Sequence, residues 1–236
     1  MRMATTWFYP HFIFNTMYQY TTIIWDWNGT LLDDIQASID SINPLLLERG
    51  LNNIDIEHYR NIFGFPVVDY YSRLGFDFTK EDFSTPAIQF MDNYRSRQHT
   101  LKLFDDAVTT LSTLKQQGFR QIMLSAMEDK LLKQMISFFG IEEYLDGVFG
   151  IDDDFAHGKA HIGKKMIEVL KLNTTECLMI GDTAHDAEVA DLCGFDCILY
   201  AGGHFSKTRL TSLNKPIINK LSELLSWLND HSAALP

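Results

Sequence analysis

The chain from Thr21 to Trp27 is a β-rich apolar run that gives way at Asp26, Asn28 and Gly29 to turn-forming residues. That pattern predicts a buried strand ending in a turn. From Asp34 to about His99 the apolar residues recur at helical spacing, as in Ile35, Ile39 and Ile42, or Tyr70, Tyr71 and Leu74, with breaks at Gly50, Gly64 and Gly75. This stretch predicts several helices and no strand.

From Asp105 the pattern alternates. Val108, Leu111 and Leu114 mark a helix stopped by Gly118, and Arg120 to Leu124 reads as a short strand ending at Ser125. A helix over about Lys130 to Phe139 stops at Gly140, and Gly147 to Phe149 is a brief strand. A helix from about Ile162 to Leu170 leads to a strand over Cys177 to Ile180 and a loop at Gly181-Asp182-Thr183. The helix of Ala187, Val189, Ala190 and Leu192 ends at Gly194, Cys197 to Tyr200 is a strand, and Ile217 to Leu228 reads as a closing helix. Alternating helices and strands predict a parallel sheet with right-handed crossovers. The expected fold is therefore α/β, a doubly wound, Rossmann-like core over residues 21–33 and 100–236, with an all-helical insert over 34–99 and an N-terminal extension over 1–20.

Charge and cysteine content narrow the setting. Twenty Lys and Arg against 31 Asp and Glu leave a formal charge of −11, which argues against nucleic acid or an anionic membrane surface as a partner and suits a metal site. No apolar run reaches the roughly 18 residues of a membrane-spanning helix. Cys177, Cys193 and Cys197 are an odd number and form no disulfide framework, so a reducing cytoplasm is expected. Pro10 and His11 interrupt the aromatic N-terminal segment, and no signal peptide is read there. Met17 stands just before the first strand, and translation from it would dispense with residues 1 to 16.

In doubly wound sheets, ligands sit beyond the carboxyl ends of the strands. Asp26, Ser125 and Asp182 all follow predicted strands. An Asp at one strand end, a hydroxyl after another, a Lys before a helix and an acidic pair after a third suit covalent phosphoryl transfer. The Asp26 carboxylate can attack phosphorus, splitting one hard displacement into two easier ones. Ser125, backbone N–H groups and a Lys ammonium can stabilise the charge spread over the transition state. Asp182, with Asp186 behind it, is the candidate cradle for a Mg²⁺ ion that screens the nucleophile from the phosphate.

These residues resemble the haloacid dehalogenase-like (HAD) superfamily, in its phosphoglycolate phosphatase-like branch, over roughly residues 21 to 230. The first family motif, a strand followed by Asp-x-Asp-Gly-Thr, reads here Ile23-Ile24-Trp25-Asp26-Trp27-Asn28-Gly29-Thr30-Leu31. The second reads Ile122-Met123-Leu124-Ser125, the Lys motif is best matched in His157-Gly158-Lys159, and the acidic motif is Gly181-Asp182-Thr183-Ala184-His185-Asp186. The resemblance implies a magnesium-dependent hydrolase of a small phosphorylated metabolite, with Asp26 as nucleophile. The main-chain carbonyl of Asn28 and Asp182 would hold the metal, with Asp186 supporting it through water. Ser125 and Lys159 would bind phosphate, with Ala126 beside them. The insert resembles the mobile cap of such enzymes, with Gly64-Phe65-Pro66 as its substrate loop, so that Phe65 and Pro66 would meet the substrate.

Two positions depart from the common pattern. Asn28 stands where most family phosphatases carry the Asp that protonates the leaving oxygen, and an amide cannot shuttle a proton. That implies slow turnover, a leaving group that departs without an acid, such as that of a phosphoanhydride or acyl phosphate, or a proton from another group such as His185. Ala126 stands where Asn often follows the Ser, so one side-chain contact is absent. A phosphate-binding or regulatory protein with weak turnover is the alternative reading. A receiver domain is disfavoured by the insert and the late acidic motif, and a dehalogenase would leave the acidic motif without a purpose.

Each residue also has a plain structural explanation. Asp26 could be a turn former, Asp182 and Asp186 could cap a helix, and Lys159 could belong to the solvated charge run of Lys164 and Lys165. The four motifs in order outweigh these explanations for Asp26 and Asp182. Cys193 and Cys197 read as small core residues, and Tyr70 and Tyr71 as packing within the insert.

Overall fold

The computed structural model describes residues 17–151 and 159–233. The N-terminal segment 1–16 and the His157-Gly158 pair of the Lys motif lie outside these residues. The elements in chain order are β1 (Met17–Tyr18), β2 (Thr22–Trp25), β3 (Leu32–Asp33), α1 (Ile35–Glu48), α2 (Ile56–Ile62), α3 (Val67–Leu74), α4 (Ser84–Ser96), β4 (Lys102–Leu103), α5 (Ala107–Gln116) and β5 (Arg120–Glu128). There follow α6 (Asp129–Phe138), β6 (Gly147–Ile151), α7 (Lys159–Leu170), β7 (Cys177–Gly181), α8 (Ala184–Cys193), β8 (Asp196–Tyr200), α9 (Lys207–Thr211), β9 (Ile217–Ile218), α10 (Glu223–Asp230) and β10 (Ser232–Ala233).

Six strands form one sheet in the order β6-β5-β2-β7-β8-β9, and every pairing in it is parallel. Its strands are apolar on both faces because helices cover both, as parallel sheets require. Ile23 and Trp25 of β2 enter one core cluster, with Met123, Leu178, Ile180 and Ile198 from neighbouring strands. Ile24 points the other way and joins Ile122, Leu124, Met179 and Leu199. The period-2 alternation of side chains thus splits one apolar run between two layers.

β2 is the topological switch point. The chain passes from it to β5 and β6 on one side and to β7, β8 and β9 on the other. The crevice where such an order reverses lies at the carboxyl end of the strand, which here carries Asp26.

Helices α1 to α4 lie between β3 and β4, and those two short strands pair antiparallel, Leu32 with Leu103 and Asp33 with Lys102. The entering and leaving chains are thereby clamped side by side. The helices bury their own apolar cluster, built on Ile35, Ile39, Ile42, Leu46, Tyr70 and Tyr71, which is the helical spacing read from the sequence. Among the described residues no helix is long and apolar enough to cross a membrane.

Several boundaries differ from the sequence reading. The closing helix expected over Ile217 to Leu228 is two elements: Ile217–Ile218 adds the edge strand β9 beside Leu199 and Tyr200, and the helix begins only at Glu223. The unpaired edge of β8 offered hydrogen bonds that outweighed helical periodicity. Strand β5 runs past Ser125 to Glu128, with a register irregularity against β6 between Leu124 and Glu128. Helix α7 (Lys159–Leu170) already includes Lys159 rather than beginning near Ile162, so this lysine lies in the helix, not before it.

Candidate active site

The carboxyl ends of β2, β5, β7 and β8 and Lys159 of α7 bring the chemistry-bearing residues to one cavity of about 510 Å³. Asp26, Asn28, Phe65, Ser125, Ala126, Lys159, Asp182 and Asp186 all line it. Pro66 is not on that lining; it stands just ahead of α3.

Asp26 follows β2 directly, and its backbone N–H continues the ladder to the carbonyl of Ile180 at 2.9 Å. Its backbone is therefore fixed by the sheet. Lys159, only 1% exposed, donates to Asp26 Oδ1 at 2.5 Å and to Asp186 Oδ1 at 2.6 Å. Thr30 donates to Asp26 Oδ2 at 3.1 Å and lies 3.4 Å from Asp182 Oδ1. Asp186 Oδ2 accepts from the backbone N–H groups of Asp182 and Thr183 at 3.1 and 3.0 Å and from the Thr183 hydroxyl at 2.8 Å. The capping explanation for Asp186 is thus correct as far as it goes: one oxygen holds the start of α8 and the other faces the lysine.

Asp26, Asp182 and Asp186 present carboxylate oxygens within 4.8 Å of one another, all buried. Burial, with the neighbouring charge of Asp186, pushes the Asp26 carboxyl up to about 6 against the opposing pull of Lys159. Burial drives Asp182 well above the usual carboxylate range. Burial would raise Asp186 too, but Lys159 and the hydrogen bonds to it hold it low. Lys159 is pushed upward by its two carboxylates despite burial. Three buried carboxylates share one ammonium, and such a surplus of clustered oxygen donors fits a hard divalent cation.

Glycines let these groups approach. A Cβ on Gly29, whose φ is +74°, would strike the Asp182 carboxylate and the His204 ring, and one on Gly203 would strike Asp182. Both positions need the absence of a side chain.

Ser125 is buried, and its hydroxyl accepts from the backbone N–H of Met127 at 3.1 Å. Ala126 beside it is exposed to the cavity. Asn28 is held firmly: its amide donates to Asp34 Oδ2 at 2.8 Å and lies 3.1 Å from the Tyr94 hydroxyl. His185 is partly buried against the Phe65 ring, with centroids 4.9 Å apart, and burial followed by the Lys159 charge lowers its pKa.

Sequence reasoning missed a second charged group beside the first. Asp34 accepts from Asn28, from the Gly29 N–H at 3.0 Å and from Tyr94 at 2.8 Å, and it lies 3.3 Å from His204 Nε2. His204 Nδ1 meets the Tyr59 hydroxyl at 2.9 Å, and its backbone N–H donates to Asp182 Oδ2 at 2.5 Å. Burial would lower the His204 pKa, but Asp34 raises it to about 9, so the imidazolium is charged at neutral pH. Asp34 precedes α1 without capping it, because its oxygens are occupied here. The one available signal was Gly202-Gly203-His204, a glycine pair and a titratable group directly beyond a strand end.

Comparison with known proteins agrees with this geometry. A pyrophosphatase of Bacillus cereus is 25% identical over 214 residues, covering 89% of this chain and 96% of the relative. A haloacid dehalogenase-like hydrolase of Streptococcus pneumoniae superposes with a TM-score of 0.78 at 20% identity, covering 89% of this chain and 98% of its own. A Haemophilus somnus protein described as a predicted phosphoglycolate phosphatase superposes with a TM-score of 0.71 at 18% identity, over 89% of this chain and 99% of its own. The family model for haloacid dehalogenase-like hydrolases matches residues 23–200. This match spans β2 through β8 and all three clustered carboxylates, and the chain belongs to the haloacid dehalogenase-like hydrolases.

Proposed function

We propose that the protein is a Mg²⁺-dependent phosphohydrolase of a small phosphorylated metabolite, working through an aspartyl-phosphate on Asp26. The observation that carries this reading is the buried Asp26 carboxylate at the sheet's switch point, paired to Lys159 and clustered with Asp182 and Asp186. The pyrophosphatase relatives and the phosphatase-like structural neighbours support the reaction class.

Asp26 and Asp182, with the carbonyl of residue 28, would hold the metal, and Asp186 would support it. When bound, Mg²⁺ supplies charge that draws the phosphoryl group toward a carboxylate that would otherwise repel it. An Asp26 oxygen forms the new bond to phosphorus as the bond to the leaving oxygen breaks, and that oxygen takes the electron pair. Ser125 and Lys159 would bind the equatorial oxygens. Water then attacks phosphorus, returns the free carboxylate and releases phosphate. Asn28 cannot donate a proton to the leaving oxygen, so substrates whose leaving groups depart as stable anions are favoured.

The test is the initial rate on acetyl phosphate with and without Mg²⁺, in wild type and Asp26→Asn. Metal-dependent hydrolysis that falls at least about a thousandfold in Asp26→Asn is expected. The locked Asn28 amide favours a second reading, a phosphate-binding protein without turnover. Ligand binding with no hydrolysis in either protein would select it.

A further inference from the structure

The cavity has two unlike halves. Toward the sheet it is polar, formed by the carboxylates, Lys159 and Ser125. Toward the insert its described lining is mainly aromatic and aliphatic, with Phe63, Phe65, Tyr70, Phe83 and Phe90, joined by Leu131 of α6 and interrupted by Ser38 and Arg95. The rings contact one another: Phe63 lies 5.6 Å from Phe65 and 5.2 Å from Tyr70, both edge-on, and Phe90 stacks on Tyr94 at 6.0 Å. Such a wall recognises flat apolar groups by area and by ring geometry.

The same half offers little to a second anion. Lys159 is matched by Asp26 and Asp186, and His204 by Asp34. Arg95 is exposed and lies 4.0 Å from Asp92, and His185 lies 3.7 Å from Glu188. A second phosphoryl group placed among these phenylalanines would bury charge where the described lining offers only the exposed Arg95, loosely paired with Asp92, which is costly.

We propose that the substrate is an aryl phosphate, the phosphate ester of a one- or two-ring aromatic hydroxyl compound, seated with its ring against Phe63, Phe65 and Phe90. This rests on the phosphohydrolase reading of the same site. It also accounts for Asn28. The bond from phosphorus to the aryl oxygen breaks with its electron pair on that oxygen, giving a phenolate, which takes its proton from solvent afterwards. A phenol has a pKa of about 10, against roughly 15.7 for water, so its oxygen leaves without a general acid where an alkoxide does not. The aromatic wall and the missing acid therefore select the same class of ester.

The test compares steady-state kinetics of the full-length protein with Mg²⁺ on 1-naphthyl phosphate, hexyl phosphate, acetyl phosphate and pyrophosphate. The KM for 1-naphthyl phosphate is expected to be at least about tenfold below those for acetyl phosphate and pyrophosphate, the worth of burying one ring. Hexyl phosphate is expected to inhibit competitively while turning over slowly, because it fits the wall but leaves as an alkoxide. Phe90→Ala is expected to narrow the KM ratio of acetyl to naphthyl phosphate at least about threefold. Metal-dependent hydrolysis of acetyl phosphate or pyrophosphate with an equal or lower KM than the aryl ester would overturn this proposal and leave the phosphohydrolase standing. No metal-dependent turnover of any of the four would overturn both.

Discussion

At the scale of single residues, Asn28 is the position on which the chemistry turns. Its amide spans Asp34 and Tyr94, so a carboxylate in its place would stand against Asp34, and repulsion between the two would raise one pKa and favour a shared proton. A carboxyl kept protonated is what a general acid requires. Asn28→Asp is therefore expected to raise kcat on hexyl phosphate by about 10² or more, the usual worth of such proton transfer, with much less effect on acetyl phosphate. An unchanged ratio of the two rates would mean that another group already supplies the proton. Asp26 and Asp182 were legible in the sequence because each closes an apolar strand within a spaced motif. Asp34, Tyr59 and His204 were not. Asp34 meets Asn28 and Gly29 close by, but its pairing with His204 and that of His204 with Tyr59 span the chain, and a local pattern carries no information about such pairs.

At the scale of elements, the helical insert is tied to the core by α2. Arg60 donates to the carbonyls of Gly202 and Gly203 at 2.6 and 2.9 Å, while Arg209 donates to the carbonyls of Arg60 and Phe63 at 3.0 and 2.6 Å. The segment so clasped carries the His204 N–H that holds Asp182. Arg60→Ala is expected to lower unfolding free energy by about 1–2 kcal/mol, the worth of a charged hydrogen-bond pair that is only partly buried, measured by denaturant titration. An unchanged midpoint would show that the clasp contributes nothing to the fold. The sequence predicted the helices of the insert and the strands of the core because their periods, 3.6 and 2, differ plainly. It misjudged Ile217 and Ile218, where two apolar residues fit either period and the free edge of β8 decided the outcome. It also started α7 late, since Lys159 is polar and enters no apolar stripe, yet it lies in the helix, buried between two carboxylates.

At the scale of the whole molecule, the order of strands explains why residues separated by 133 and 27 positions meet at one ammonium. β2 sits between β5 and β7, so everything following those strands converges on Asp26. The alternation of elements made this architecture legible, and the spaced motifs made the reaction class legible. The apolar cavity wall was not, because it is assembled from three insert helices, their connecting turns and α6. Tyr70, read from the sequence as packing, serves both that packing and the cavity lining. The central claim is that Asp26 itself becomes phosphorylated. The most direct measurement is to quench the protein in acid during turnover of acetyl phosphate with Mg²⁺ and map the modified residue by mass spectrometry after borohydride reduction, which converts an acyl phosphate on Asp to homoserine. The account predicts homoserine at position 26 in the wild type and none in Asp26→Asn. Metal-dependent turnover with position 26 never modified would contradict it.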